Sequence, residues 1–285
     1  MVAIPRVSKF VQQILLEEVD ETINIFNKKR EEFLKMKLQE AINWEKYYLM
    51  FISHHSTAIE GSTLTQLESQ LLLDEGTTPA GRPLEHSNME KDHYNALKLV
   101  FKEAREKHKV APGFIRTVSA RVMQNTGKKY NVAQGSFDSS KGEYRKVGVF
   151  VGETTFPNYQ KVEGLVITLC ENLEEKINKG KSIQDIYEIA FDFHYDLVSI
   201  HPFADGNGRV SRLLMNYILV YHDQVPAIIH KEDRNQYIKS LEESNETKDS
   251  APMRKFMYEQ QILEFDRQIE KQRSSDKGRF LTFLS

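Results

Sequence analysis

Residues 201–212 read His-Pro-Phe-Ala-Asp-Gly-Asn-Gly-Arg-Val-Ser-Arg and stand between two stretches of helical period. Upstream, Ile183, Ile186, Ala190, Phe193, Leu197 and Ile200 recur at the spacing of one helix face, with Ser182 placed to cap the start. Downstream, Val210, Leu213, Leu214, Tyr217, Ile218 and Tyr221 repeat the period. The chain must therefore hold two apolar helices joined by a short polar loop.

The loop has the chemistry of an anion site. Gly206 and Gly208 let the backbone turn tightly and bring its N–H groups close to a ligand. The second helix starts near Asn207, so its unpaired N–H groups and positive dipole end face the loop. Phosphate is the natural guest there. Arg209 and Arg212 add charge and forked hydrogen bonds suited to phosphate oxygens. Asp205 is out of place beside a phosphate unless a cation bridges them, as Mg²⁺ does with one or two carboxylates plus phosphate oxygens. His201 opens the loop and can serve as a general base near neutral pH. Together these residues point to transfer of a nucleotide phosphate to a nucleophile that His201 deprotonates.

The twelve residues match the signature His-Pro-Phe-x-(Asp/Glu)-Gly-Asn-Gly-Arg-x-x-Arg, and by it the chain resembles the Fic family, whose members mostly transfer AMP from ATP to a protein hydroxyl. The resemblance implies that His201 activates the target hydroxyl and that Asp205 holds Mg²⁺. It implies that Gly206, Asn207 and Gly208 form an anion hole around the α- and β-phosphates, that Arg209 contacts the phosphates and that Arg212 contacts the γ-phosphate. Phe203 reads as a core anchor. Phosphorylating relatives carry lysine where this chain has Gly208, so the match is to the AMP-transferring version.

Residues 53–61, Ser-His-His-Ser-Thr-Ala-Ile-Glu-Gly, read as a helix end with Gly61 as its left-handed cap. A glutamate at a helix C-terminus opposes the macrodipole, so Glu60 is expected to face a cation elsewhere. Ser56-x-x-x-Glu60-Gly61 resembles the family's inhibitory motif (Ser/Thr)-x-x-x-Glu-(Gly/Asn). The resemblance implies that Glu60 pairs with Arg212 and keeps the γ-phosphate of ATP from seating productively. The pair His54 and His55 reads as structural. Adjacent residues do not face one another on a helix, and no cysteine or further histidine follows at ligand spacing. His194 reads as packed rather than catalytic.

Tyr144 to Gly152 alternates and is β-branched, the one strand signal in the chain. In Fic proteins a hairpin here, the flap, covers the active site and adds the target segment as an extra strand. By that resemblance Val147, Gly148, Val149 and Phe150 dock the substrate, through backbone pairing that tolerates many sequences.

Elsewhere the pattern is helical. Val11, Ile14, Leu15, Val19, Ile23 and Phe26 form a stripe within a helical stretch over 8–50. Thr65 to Glu68 is a capping box for a helix to Glu75, ended by Gly76. Helices are expected over about 85–108, 112–125 (opened by Pro112), 160–178, 232–243 and 252–273, with 126–142 a long loop. The apolar tail Phe280 to Leu284 is expected to pack on the body or a partner. In relatives the 232–243 region lies near adenine, which makes Asn235 and Tyr237 candidate nucleotide contacts. The expected fold is all-α, a Fic helical bundle with one small β-hairpin. Its parts are an N-terminal helical region with the inhibitory helix (1–110), a catalytic core (111–245) and a C-terminal helical extension (246–285).

Composition excludes several classes. The net charge of −2, with no basic block, argues against a general nucleic-acid binder. A single cysteine, Cys170, allows no internal disulfide and fits a reducing compartment. No apolar run reaches membrane-spanning length, and the N-terminus lacks a signal-peptide core, so the expected location is cytoplasmic. The chain ends too soon after the motif for the winged-helix module that many longer Fic proteins append, so no DNA partner is expected. The expected activity is Mg²⁺-dependent transfer of AMP from ATP to a Ser, Thr or Tyr hydroxyl of a protein, restrained by Glu60, with a homodimer open. Two alternatives stand. One is AMP removal by the same residues; the other is a non-enzymatic nucleotide-sensing interaction module, against which the intact His201 and Asp205 argue.

Overall fold

The computed structural model describes residues 9–37, 43–151, 154–179 and 182–283, with side chains over 17–37, 43–150, 154–179 and 182–274. It divides into two units, Leu49–Arg234 and Met1–Tyr48 with Asn235–Ser285. Their edges do not coincide with the divisions at 110 and 245 drawn from the sequence, because chain ends distant in sequence pack together.

In order, the helices are α1 (Lys9–Lys35), α2 (Trp44–Ile59), α3 (Gln66–Glu75), α4 (Leu84–Arg105), α5 (Pro112–Val122), α6 (Tyr159–Lys179), α7 (Ile183–Ile200), α8 (Asn207–Tyr221), α9 (Arg234–Thr247) and α10 (Ala251–Phe283). The strands are β1 (Lys129–Val132), β2 (Gly135–Asp138), β3 (Phe150–Val151) and β4 (Thr154–Thr155).

α8 is the centre of the Leu49–Arg234 unit. It packs against α4, α5 and α7. Its period predicts one apolar stripe, yet every residue from Arg209 to Val220 is buried. A helix enclosed on all sides must satisfy its polar groups internally. Asn216 does so by pairing with the backbone of Ala227, donating Nδ2 to its carbonyl (3.0 Å) and accepting its N–H (2.7 Å). Ser211 returns its hydroxyl to Gly208 O at 2.9 Å.

The predicted caps form. Ser182 and Asp185 close a capping box on α7, and Thr65 and Glu68 close one on α3, which ends at left-handed Gly76. Pro112 takes the first turn of α5, where its missing N–H costs nothing.

The strand reading needs correction. Residues 126–142 hold a hairpin rather than a plain loop: β1 pairs antiparallel with β2, and Tyr130 stacks on Phe137 at 4.9 Å. The strand expected over 144–152 shrinks to Phe150–Val151, paired with Thr154–Thr155. Arg145 turns inward there and is 1 % exposed, which ends the alternation. Of the proposed docking residues only Phe150 lies in β3; Val147, Gly148 and Val149 precede it.

In the other unit α1 packs on α10. Phe26 meets Tyr258 at 5.0 Å, and Phe33 meets Phe265 at 4.8 Å. Val19, Ile23 and Phe26 of the predicted stripe are buried. The side chains of Val11, Ile14 and Leu15 and of the 280–284 tail lie outside the described residues.

Candidate active site

His201 is the residue at which α7 stops. Its backbone is left-handed (φ 52°) and its N–H returns to Leu197 O at 3.1 Å. Pro202 cannot extend a helix, so the chain leaves. The loop is then closed by one side chain. Asn207 accepts the Phe203 N–H and donates to the Phe203 carbonyl, both at 2.9 Å. Asn207 thus offers a ligand its backbone N–H, while its amide holds the loop. Phe203 is 1 % exposed, the core anchor its position predicts. Gly206 is left-handed (φ 81°), and a Cβ there would lie 2.9 Å from Met123 Sδ.

The His201 ring stacks on Phe156, centroids 4.0 Å apart and planes inclined by 27°. Burial pushes its pKa down to about 4, and the Arg145 charge adds to this against the pull of Glu60 and Asp205. At neutral pH the imidazole is uncharged and able to take a proton.

Asp205 Oδ1 accepts Arg209 Nη2 at 3.1 Å and the Gly206 N–H. Its Oδ2 has no protein donor among the described residues, and the side chain is 56 % exposed. Arg209 itself is 2 % exposed. Its Nε and Nη1 are buried, and among the described residues no acceptor reaches them. Two buried, unmatched guanidinium donors in the first turn of a helix call for an anion.

Arg212 is also buried, but its fork is matched. Nε donates to Ser56 Oγ (2.9 Å), and Nη2 donates to Ser56 O (2.9 Å) and to Glu60 Oε1 (2.7 Å). Burial opposes the charge on Glu60, yet Arg212, Arg209 and Arg234 outweigh it and hold the carboxyl below the ordinary carboxylate range. The expected cation for Glu60 is thus Arg212. α2 ends at Ile59, Gly61 takes a positive φ of 102°, and Arg234 Nε caps the Ile59 carbonyl at 2.7 Å. A Cβ on Gly208 would lie 2.5 Å from Glu60 Oε1.

The structure thus gathers His201, Asp205, Gly206, Asn207, Gly208, Arg209, Arg212, Ser56 and Glu60. Asn235 and Tyr237, the candidate nucleotide contacts, belong to the other unit, where Asn235 is exposed and Tyr237 is buried 5.9 Å from Phe256. His194 is fully buried, its pKa pushed by burial to about 3, as a packing residue should be. His55 meets His230 and Glu232 in space, residues far from it along the chain. Its Nδ1 already accepts the Lys231 N–H at 3.2 Å, so the ring serves a hydrogen bond there. Arg145, Phe156, Met123 and Arg234 shape the site without having been singled out by their sequence.

Residues 110–219 match the profile described as the Fic/DOC family. Over 196 residues, 68 % of this chain, it is 31 % identical to "Protein adenylyltransferase Fic" of Drosophila grimshawi, of which it covers 37 %. The chain thus spans little more than a third of that relative's length. The fold is similar to Fic-1 from C. elegans, with a TM-score of 0.71 at 22 % identity, covering 93 % of this chain and 75 % of that one. A Fic domain containing signaling protein from Bacteroides thetaiotaomicron gives a TM-score of 0.70 at 22 % identity, covering 89 % and 96 %. No helix among the described residues is long and apolar enough to cross a membrane. Profile, sequence relatives and fold agree with the 201–212 signature, and residues 110–219 form a Fic/DOC family domain.

Proposed function

We propose that the protein is a protein adenylyltransferase, transferring AMP from ATP to a Ser, Thr or Tyr hydroxyl of a protein. The observation that carries this reading is Arg209, whose buried Nε and Nη1 have no acceptor beside a neutral His201. A phosphate there satisfies the guanidinium, and the base stands on the same loop. His201 takes the proton of the target hydroxyl, whose oxygen attacks the α-phosphorus, and the bond to the bridging oxygen breaks to release pyrophosphate. Arg209 and the first N–H groups of α8 stabilise the charge that develops on the phosphoryl oxygens. In this reading Asp205 would hold Mg²⁺ through Oδ2, and the ion would supply neutralising charge to the phosphates. The flap residues Val147, Gly148, Val149 and Phe150 receive the target segment; Phe150 is 78 % exposed.

Glu60 restrains the reaction in this reading. It holds the guanidinium that the γ-phosphate needs, and it stands against Gly208. The test is label transfer from α-³²P-ATP with Mg²⁺ by wild type, Glu60→Gly, and Glu60→Gly with His201→Ala. Label on protein in the single variant alone supports transfer and restraint together. Equal labelling by wild type and Glu60→Gly removes the restraint. No labelling by any of the three overturns transfer from ATP, and release of AMP from a pre-modified protein then tests the reverse reaction.

A further inference from the structure

We propose that Arg145 is a positioning residue that locks the two ends of the flap to the His201 turn, so that the docked target segment and the base keep one register. It rests on the reading of His201 as base and of the flap as docking site.

Arg145 is 1 % exposed, the bulkiest fully buried side chain among the described residues. Burying a guanidinium is costly unless its donors are matched. Here they meet three backbone carbonyls, none from a carboxylate. Nε donates to His201 O at 2.7 Å, Nη1 to Val147 O at 2.7 Å, and Nη2 to Pro157 O at 2.6 Å. Its own N–H donates to Pro202 O at 3.0 Å. One planar group thus joins the residue where the flap begins, the residue where it ends and the base itself.

Among the described residues between Val147 and Pro157, the flap has little of its own to hold it. β3 and β4 are two residues each, and the next bond outward, Phe156 N–H to Val149 O, is long at 3.4 Å. Phe156, which stacks on the His201 ring, is the residue before Pro157. Arg145 therefore governs both the flap edge and the ring's stacking partner. A lysine has the charge but lacks the planar fork, and it cannot span three carbonyls at once.

The charge has a second effect. The groups that act on His201 are Arg145, which disfavours imidazolium, and the Val198 backbone hydrogen bond, Glu60 and Asp205, which favour it. Burial and Arg145 prevail. Removing Arg145 should raise the His201 titration point above about 4, with burial, the larger cause, still holding it down.

The test compares Arg145→Lys and Arg145→Gln in the Glu60→Gly background. One readout is the NMR titration of the His201 ring, assigned against His201→Ala, which needs no turnover. The other is label transfer to a fixed protein acceptor, with kcat and KM for that acceptor separated. The expected result is that Arg145→Gln raises the His201 titration point and the acid limb of kcat/KM together. Arg145→Lys should leave the titration low but cut kcat/KM by roughly a hundredfold, through KM for the acceptor, as loss of register does. Unchanged titration in Arg145→Gln with unchanged KM in Arg145→Lys overturns the proposal. A His201 that titrates near 6.5 in the unsubstituted protein overturns its electrostatic part with no Arg145 variant made. Absence of label even in Glu60→Gly counts against the adenylyltransferase reading; the NMR result still decides the tie between Arg145 and His201.

Discussion

Glu60 Oε1 accepts Arg212 Nη2 at 2.7 Å and stands where any side chain at Gly208 would begin. Ser56, one turn earlier on α2, takes the same guanidinium through its hydroxyl and its carbonyl. The clamp has a carboxylate part and a neutral part. Under the proposed restraint, Glu60→Gly should release label transfer strongly. Ser56→Ala should release it about fivefold, since one net hydrogen bond is worth about 1 kcal/mol and the Ser56 carbonyl remains. Initial rates of labelling check this; a Ser56→Ala rate equal to that of Glu60→Gly would put the restraint in the hydroxyl instead.

Arg209 should dominate phosphate affinity. In the Glu60→Gly background, Arg209→Ala removes a charge-assisted donor set worth about 2–3 kcal/mol, so the Kd for ATP should rise on the order of fiftyfold. Calorimetric titration measures it. A Kd within twofold of the parent would mean that ATP does not meet this guanidinium.

The pH dependence follows from His201. With a pKa of about 4, the imidazole remains neutral at pH 5.5. Label transfer by Glu60→Gly should therefore change less than about twofold between pH 5.5 and 7.5. An imidazole at its ordinary value would lose about tenfold over that range.

Glu90 gives a stability prediction. It is wholly buried, and burial raises its pKa to about 7 against the pull of hydrogen bonds from Thr57 and Ser69. Thr57 has one hydroxyl proton and the Ser53 carbonyl at 3.0 Å to receive it, so a protonated Glu90 can donate from Oε2 to Thr57 Oγ1. Because the folded pKa lies above the unfolded one, the folded protein holds this proton between about pH 4.5 and 7 while the unfolded chain has released it. Stability should fall as pH rises through that window. Glu90→Gln removes the penalty and should be more favourable, relative to wild type, by about 3 kcal/mol at pH 8 than at pH 4.5. Urea unfolding at the two pH values decides; an equal difference at both places no titration at Glu90.

Local rules made much of this fold legible. Ser182, Thr65, Pro112 and Gly76 act over three or four residues, and each does what its neighbours predict. The loop between α7 and α8 was legible for the same reason, since a dozen contiguous residues hold the base, the glycines and both arginines. Contacts across the chain were not. Arg145 sits in a stretch that alternates like a strand, and its partners are backbone carbonyls, which no side-chain pattern reveals. The β1–β2 hairpin was obscured by its Gly, Ser and Asn content, although Tyr130 and Phe137 pair across it. His55 and His230 lie far apart in sequence, and only folding makes them neighbours.

The enclosure of α8 makes the first turns of that helix a problem of charge balance. Arg209 and Arg212 stand in its interior as two cations that water cannot reach. Glu60 supplies one negative charge to the pair, and its pKa responds to both. A nucleotide triphosphate supplies several. In the proposed reaction, substrate and inhibitor are then rival counter-ions for one buried dication, and binding is ion exchange. The variant without Glu60 should lean on ATP for its own folding: its Tm should rise further on adding nucleotide than that of the wild type, because there the nucleotide replaces the carboxylate that Arg212 has lost.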